Sequence, residues 1–127
     1  MGKKILVIDD EELLTKTFSK ALEKQGYDVY IAKKGQDGCE MAEEVNFDLI
    51  ISDIRMPGLD GIAAVSKIRD IYLKKKRGKV PEIFITGFVD ELMEKQARDM
   101  NPSAYIMKPF DIQELLQAVK NALSEKE

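Results

Sequence analysis

Five polar or charged side chains stand directly after short apolar runs of the sequence. They are three carboxylates, a hydroxyl and an ammonium group: Asp9, Asp10, Asp53, Thr86 and Lys108. Two unit charges about 4 Å apart repel each other by roughly 4 kcal/mol at an effective dielectric constant near 20. Carboxylates brought that close together must therefore share a proton or a cation. Mg²⁺ suits such a group, because it prefers a few carboxylate oxygens, water and the oxygens of a phosphoryl group.

The hydroxyl and the ammonium group suit phosphoryl oxygens. Lys108 supplies a point charge, Thr86 can donate a hydrogen bond, and Gly87 leaves room for a group to arrive. Together with a nucleophilic carboxylate, this set indicates phosphoryl transfer to an aspartate, in which catalysis is mostly positioning and charge neutralisation. The chain contains no histidine, which excludes a phosphohistidine of its own, a Ser-His-Asp triad and a histidine-ligated metal.

Each of these residues also has a structural explanation when it is taken alone. Polar residues are common at strand ends, and aspartate is a good helix N-cap. Asp10 in particular is a candidate cap for the helix predicted to begin near Glu11. The functional hypothesis therefore depends on the five side chains meeting at one place.

The elements that must position these side chains alternate between strands and helices. Apolar runs predict five strands, at residues 5–8, 27–32, 49–51, 83–85 and 104–107. The second run contains Asp28 and is predicted to lie at or near a sheet edge. The other four runs are the ones that deliver polar side chains at their ends.

Helical periodicity follows each predicted strand. The first helix carries Leu14, Phe18 and Leu22 at helical spacing, and Gly26 stands at its predicted C-terminal cap. Further helices are predicted at residues 36–45, from about 62 to 72, at 89–100, and after Asp111, a candidate N-cap with Glu114 three residues on. Five β/α units predict a parallel sheet with helices on both faces. Ligands of such sheets collect beyond the carboxyl ends of the strands, where the five side chains are expected to meet.

Composition indicates one globular domain of ordinary type. The 127 residues are 44% hydrophobic and 34% charged, and the net charge of −3 gives no electrostatic indication of nucleic-acid binding. The basic run of residues 74–77 is interpreted as a solvated loop, with a partner-docking patch as the alternative. The single cysteine, Cys39, is expected to be a small, at least half-buried residue. No leader or membrane span is predicted, so a cytoplasmic location is expected.

In their order along the chain, these residues resemble the receiver domain of bacterial two-component response regulators. The resemblance covers essentially the whole length. Its motifs are Ile8-Asp9-Asp10-Glu11, the run Ser52-Asp53-Ile54-Arg55-Met56-Pro57-Gly58-Leu59-Asp60-Gly61, Thr86-Gly87 and Lys108-Pro109-Phe110. It implies an α/β, flavodoxin-like (βα)5 fold with a doubly wound parallel sheet in strand order 2-1-3-4-5. Residues 1–127 would then form a single receiver domain.

The resemblance also implies a role for each acidic residue of the site. Asp53 resembles the phosphoacceptor, and Asp9 and Asp10 resemble the acid pair that binds Mg²⁺. The metal would be held by Asp9, Asp10, Asp53 and the backbone carbonyl of Arg55.

Further roles follow from the resemblance on the other side of the site. Thr86 and Lys108 would hold the phosphoryl oxygens. Thr86 would also move toward the phosphoryl group, and the aromatic ring of Tyr105 would turn inward behind it. A half-buried strand aromatic is the structural alternative for Tyr105. The peptide bond before Pro109 is expected to be cis, and Phe88, like Arg55, occupies a position that tunes the lifetime of the phosphoryl group.

The function implied is a phosphorylation-driven signalling switch that catalyses only its own phosphorylation and dephosphorylation. A sensor histidine kinase or a histidine phosphotransfer domain would supply the phosphoryl group. A downstream effector or a fused output domain would read the face formed by helix four, strand five and helix five, without direct binding to nucleic acid or membrane. Two alternatives remain open: a pseudo-receiver that binds partners without phosphorylation, and an Mg²⁺-dependent aspartyl phosphatase of the haloacid-dehalogenase type. The phosphatase would need an Asp-x-Asp pair after strand one, whereas Asp9 and Asp10 are adjacent.

Overall fold

The chain alternates strictly between strands and helices. The computed structural model describes residues 2–87 and 90–126, with only the backbone of residues 125 and 126. The elements are β1 (Lys4–Ile8), α1 (Glu12–Lys24), β2 (Asp28–Ala32), α2 (Gly35–Glu44), β3 (Leu49–Asp53), α3 (Gly61–Lys74), β4 (Glu82–Thr86), α4 (Glu91–Asp99), β5 (Ala104–Met107) and α5 (Ile112–Lys126). The predicted order of strands and helices is confirmed.

The five strands form one parallel sheet in the order β2-β1-β3-β4-β5. This is the order that the resemblance implies. β2 is an edge strand, as Asp28 indicated, and its Ile31 is 37% exposed. β1, β3 and β4 each have a strand on either side, and helices cover both faces of the sheet. These strands are therefore buried on both faces, which explains their continuous apolar sequences.

Two hydrophobic cores lie on opposite faces of the sheet. Alternate residues of a strand point to opposite faces, so Ile5 and Val7 of β1 enter one core and Leu6 and Ile8 enter the other. The first core is closed by α1 and α5, and the second by α2, α3 and α4. Among the helices described, none combines the length and the apolar composition needed to cross a bilayer.

The helix ends agree with the predicted signals in most places. Gly26 follows α1 with a φ of +93°, a left-handed conformation that glycine adopts without strain. The side chain of Asp111 accepts a hydrogen bond from the backbone N–H of Gln113 at 3.0 Å. The N-cap of α4 is Asp90, whose side chain accepts from the N–H of Met93 at 3.1 Å. The predicted start of this helix at residue 89 lies outside the described residues.

Asp10 does not cap α1, contrary to the structural alternative considered for it. The N-cap position is Glu11, and its side chain makes no capping hydrogen bond. The side chain of Asp9 instead accepts the backbone N–H of Glu11 at 2.9 Å. The carboxylate of Asp10 is thus left at the exposed start of the helix.

The basic run was predicted as a solvated loop. Lys75 and Lys76 are exposed as expected, whereas Lys74 ends α3 and Arg77 is half-buried against the end of α2. Lys75 pairs with the carboxylate of Glu43 at 3.2 Å. Nη1 of Arg77 donates to the carbonyl oxygens of Ala42 and Val45 at 2.9 and 3.1 Å. The last carbonyls of a helix have no partner within the helix, and a cation is favourable at that end. Since α3 ends beside the end of α2, the run supplies those partners.

The predicted start of the fourth strand is one residue too late, because the charged Glu82 was excluded from the apolar run. β4 begins at Glu82, one residue before the predicted apolar run, and Glu82 is 1% exposed. Its carboxylate accepts two hydrogen bonds from the guanidinium of Arg69 at 2.7 and 2.6 Å. The pairing partner lies on α3, so the strand's own sequence does not reveal it. Cys39 is 5% exposed, which agrees with its predicted burial.

Candidate functional site

The predicted site residues meet at the carboxyl edge of the sheet. Asp9 and Asp10 follow β1, and Asp53 is the last residue of β3. Thr86 is the last residue of β4, and Lys108 directly follows β5. Because parallel strands end at the same edge, these elements bring together side chains that are far apart in sequence.

The three aspartates form a compact acidic cluster. Each offers a carboxylate oxygen, and these oxygens all lie within 4.8 Å of one another. Asp9 and Asp53 are 1% and 5% exposed, and Asp10 is exposed. Such a group of like charges, two of them removed from water, requires a positive charge nearby.

The donor set of the cluster fits a hard divalent cation. Oδ2 of Asp9 is buried and accepts no well-aligned hydrogen bond among the described residues, although Nζ of Lys108 lies 3.4 Å away. A buried carboxylate oxygen that accepts no hydrogen bond is uncommon and indicates a ligand position. The cluster presents only carboxylate oxygens, which favours Mg²⁺ over softer metals that select imidazole or thiolate.

Lys108 supplies the positive charge from the protein itself. Its Nζ lies 3.4 Å from Oδ2 of Asp9 and 3.5 Å from Oδ2 of Asp53. It also pairs with the carboxylate of Glu11. The side chain of Lys108 is only 14% exposed, so these attractions are weakly screened by solvent.

Burial and like charge shift the titration of the cluster. Burial is the main cause that raises the pKa of Asp53 from 3.8 to about 6, with the charge of Asp9 adding to it and Lys108 opposing it. Burial also raises the pKa of Asp9, against the hydrogen bond from Glu11 and the charge of Lys108. For Lys108, burial acts to lower the pKa, but the bond with Glu11 and the nearby carboxylates outweigh it and the pKa is raised. Lys108 therefore stays charged at neutral pH.

Backbone hydrogen bonds hold the strand ends in place. The N–H of Lys108 donates to the carbonyl oxygen of Thr86 at 2.8 Å, so these two residues are tied together. The N–H of Ile54 donates to the carbonyl of Ile85 at 3.0 Å, which ties the residue after Asp53 to β4. Thr86 is 3% exposed. Thr86, Lys108 and Asp53 thus sit on a connected backbone frame.

Gly61 is a site-supporting residue that sequence reasoning did not single out. A β-carbon at Gly61 would lie 1.8 Å from the carbonyl oxygen of Asp53. Only glycine therefore allows the first turn of α3 to pack against the end of β3. The Asp-Gly pair at residues 60 and 61 was a usable signal, because Asp60 caps α3 by accepting from the N–H of Ala63 at 2.8 Å.

The remaining predicted residues lie around this frame. Tyr105 is half-buried in β5, with the guanidinium carbon of Arg98 at 4.7 Å from the centre of its ring. The peptide bond between Lys108 and Pro109 is cis. Arg55 lies two residues after Asp53 and is exposed. Phe88 lies outside the described residues.

Comparison with known proteins identifies the family. Residues 5–120 match the response regulator receiver domain. The chain is 35% identical over 124 residues to the probable transcriptional regulator ycf29 of Pyropia yezoensis, covering 98% of this chain and 54% of that protein. The chain thus spans about half the length of the curated relatives it matches.

Solved structures agree with this match. A CheY-like response regulator receiver domain protein from Methanospirillum hungatei JF-1 has a TM-score of 0.88 at 28% identity, covering 98% of this chain and 96% of that one. A response regulator from Burkholderia pseudomallei, solved with a phosphorylated aspartic acid, a calcium ion and citrate, has a TM-score of 0.79 at 25% identity, covering 97% and 69%. The family match over most of the chain, the strand order and the acidic edge of the sheet agree, and the chain belongs to the response regulator receiver domain family of two-component signalling.

Proposed function

We propose that the protein receives a phosphoryl group on Asp53 and acts as a switch in a two-component pathway. The observation that carries the proposal is the position of Nζ of Lys108, 3.4 Å from Oδ2 of Asp9 and 3.5 Å from Oδ2 of Asp53. A structural ion pair needs one partner, whereas this ammonium lies between two buried carboxylates. The related Burkholderia protein carries a phosphorylated aspartic acid, which supports the same chemistry here. We also propose that residues 1–127 form one receiver domain.

In the proposed reaction, an oxygen of Asp53 attacks the phosphorus of a partner's phosphohistidine. The new O–P bond forms at Asp53 as the N–P bond breaks, and the bonding electrons return to the imidazole of the partner. Asp53 must be ionised to attack, and a pKa of about 6 leaves most of it ionised at neutral pH. Lys108 and the hydroxyl of Thr86 would hold phosphoryl oxygens, so catalysis is positioning and charge neutralisation.

Asp9, Asp10 and Asp53, with the backbone carbonyl of Arg55, are the proposed Mg²⁺ ligands. When bound, the ion would neutralise the acidic cluster and the charge that develops on the phosphoryl oxygens. The buried Oδ2 of Asp9, which accepts no well-aligned hydrogen bond among the described residues, supports this assignment. Asp9 also accepts the N–H of Glu11 through its other oxygen, which fixes the orientation of the carboxylate.

The proposed output runs from Thr86 to the face formed by α4, β5 and α5. Phosphorylation replaces the single charge of the Asp53 carboxylate with a phosphoryl group that carries about −1.5 to −2 beside Thr86. Tyr105 would then turn inward from its half-buried position and leave its contact with Arg98. A sensor histidine kinase or histidine phosphotransfer domain is the proposed donor, and an effector protein or fused output domain is the proposed reader. We also propose that the protein is cytoplasmic and that it does not bind nucleic acid or membrane directly.

The direct test is to incubate the protein with acetyl phosphate and Mg²⁺ and to measure its intact mass. We expect one added phosphoryl group, which disappears when EDTA replaces Mg²⁺ and in the Asp53→Asn variant. A matched control is Asp28→Asn, an exposed aspartate of β2 remote from the cluster in sequence, which should be phosphorylated like the wild type.

The alternatives give different results in the same test. A pseudo-receiver would form no adduct with acetyl phosphate and would not bind the phosphoryl mimic beryllofluoride. An aspartyl phosphatase would release inorganic phosphate from small phosphoesters over many turnovers. Membership of the receiver family favours the switch over the phosphatase. The presence of Asp9, Asp10, Asp53, Thr86 and Lys108 at one edge of the sheet favours it over the pseudo-receiver.

A further inference from the structure

We infer that Glu11 is a positioning residue that competes with the phosphoryl group for Lys108 and so restrains phosphorylation. The inference rests on the proposed function of Asp53 and deepens it. It concerns a residue next to the acid pair to which the family resemblance assigns no role. Glu11 carries out this role through Lys108 and does not touch the reacting atoms.

The geometry begins with the anchoring of Glu11. Its backbone N–H donates to Oδ1 of Asp9 at 2.9 Å, and its carbonyl accepts the N–H of Thr15 at 3.0 Å in the first turn of α1. Its side chain is not used to cap the helix. The carboxylate instead reaches from the start of α1 to the end of β5 and pairs with Nζ of Lys108. The backbone is therefore fixed, and the side chain bridges the mouth of the site.

The hydrogen-bonding capacity of Lys108 makes this contact a competition. A lysine ammonium has three N–H donors. Three carboxylates already surround it: Glu11 in direct contact, Asp9 at 3.4 Å and Asp53 at 3.5 Å. A phosphoryl oxygen that binds Lys108 therefore competes with these carboxylates for its donors and its charge.

Phosphorylation converts Asp53 into an acyl phosphate, so exposure decides which of the two remaining carboxylates, Asp9 or Glu11, gives way. The side chain of Asp9 is 1% exposed, so it would be left as a buried charge without its cation. The side chain of Glu11 is 55% exposed, and water can solvate it once it leaves Lys108. Glu11 is thus the partner that phosphorylation displaces, and its attraction for Lys108 opposes binding of the phosphoryl group.

The next residue provides a matched control. Glu12 has the same charge and is also exposed, but it pairs with Lys33 at 3.4 Å. Glu11→Gln and Glu12→Gln therefore remove the same charge from adjacent positions at the start of α1. Only the first removes a partner of Lys108.

The first experiment measures binding of beryllofluoride in the presence of Mg²⁺ by calorimetry, with amide NMR shifts to locate it at Asp53. We expect Glu11→Gln to tighten binding about three- to fivefold, the range of a partly exposed ion pair. Glu12→Gln should change it less than twofold. Mg²⁺ affinity, measured without beryllofluoride, should change less than twofold in both variants.

A second comparison separates competition for Lys108 from a general loss of negative charge. The initial rate of phosphorylation by acetyl phosphate is measured by intact mass, with and without Lys108→Met. Glu11→Gln should raise the rate in the Lys108 background and leave it unchanged in the Lys108→Met background. A rate increase of equal size in both backgrounds would mean that Glu11 acts only through its field, and the inference would be wrong.

The outcomes for the two proposals are distinct. If the wild type binds beryllofluoride at Asp53 and Glu11→Gln binds it equally or more weakly, the role of Glu11 is refuted and the receiver function stands. If neither the wild type nor any variant binds it, the proposed function itself fails.

Discussion

Gly61 lies against the end of β3, so that a β-carbon at this position would be 1.8 Å from the carbonyl oxygen of Asp53. The N–H of Gly61 also donates to the carbonyl of Ile54 at 2.8 Å. The start of α3 is therefore packed directly behind the proposed phosphoacceptor. Any movement of this turn must move Asp53 as well.

We predict that Gly61→Ala destabilises the protein by about 3 kcal/mol, because the backbone must shift to admit the methyl group. It should also slow phosphorylation by acetyl phosphate, since Asp53 moves relative to Lys108. The control is Gly87→Ala, whose β-carbon would lie 3.6 and 3.7 Å from carbons of Lys108, at ordinary contact distance. Urea unfolding of both variants is the measurement, and equal stabilities would show that the close approach is relieved at no cost.

Asp53→Asn should stabilise the protein at high pH when Mg²⁺ is absent. The folded pKa of Asp53 is raised from 3.8 to about 6, so its ionised form is disfavoured in the folded state. The resulting loss of stability is absent below pH 4, grows as pH rises from 4 to 6, and is complete above that range. It corresponds to at most about 3 kcal/mol.

Urea unfolding in EDTA at pH 4 and pH 8 checks this sign. The advantage of Asp53→Asn over the wild type should be largest at pH 8 and under 1 kcal/mol at pH 4. Excess Mg²⁺ should reduce the advantage, because a cation that binds only the folded wild type stabilises it. An advantage that does not vary with pH would contradict the raised pKa.

Arg69 joins three elements through its guanidinium group. It binds the buried carboxylate of Glu82 on β4 through two hydrogen bonds, and it donates to the carbonyl of Met100 at the end of α4. Arg69→Met should cost about 3 kcal/mol, because Glu82 is left as a buried charge without a partner. Adding Glu82→Met should recover much of that loss. Thermal and urea unfolding of the single and double variants test the coupling, which is refuted if the double variant is no more stable than Arg69→Met.

Arg77 binds the end of α2 and also packs on Tyr72. Its guanidinium carbon lies 5.0 Å from the ring centre of Tyr72, in addition to its bonds to the carbonyls of Ala42 and Val45. Arg77→Ala should lower the free energy of unfolding by about 1–2 kcal/mol. Lys79→Ala, an exposed cation of the same segment, should change it by less than about 0.5 kcal/mol. Equal effects would mean that the segment contributes only net charge.

Local patterns were sufficient to predict the order of elements and the residues at the acidic edge. Short apolar runs identified all five strands. The runs of β1 and β3 are continuous because strands covered on both faces must be apolar throughout. The edge position of β2 followed from the polarity of Asp28, since an edge strand is partly exposed. Polar residues directly after four strands predicted the site because all parallel strands end at one side of the sheet.

Pairings between distant elements were not predictable in this way. Glu82 was left out of the fourth strand because its partner Arg69 lies on a helix that packs against it. Arg77 was placed in a solvated loop because nothing near it in sequence shows that α2 ends beside it. Asp10 remained a candidate helix cap because sequence spacing does not state which backbone N–H a side chain will accept.

The sequence by itself thus determined the alternation of strands and helices, the strand ends that carry Asp9, Asp10, Asp53, Thr86 and Lys108, and the chemistry those side chains can perform. These properties depend on residue type and short-range spacing. Only the tertiary structure decided the close approach of Gly61 to Asp53 and the contact of Glu11 with Lys108. Glu11 and Lys108 are far apart in sequence. Both contacts depend on how the elements pack, which short-range spacing does not show.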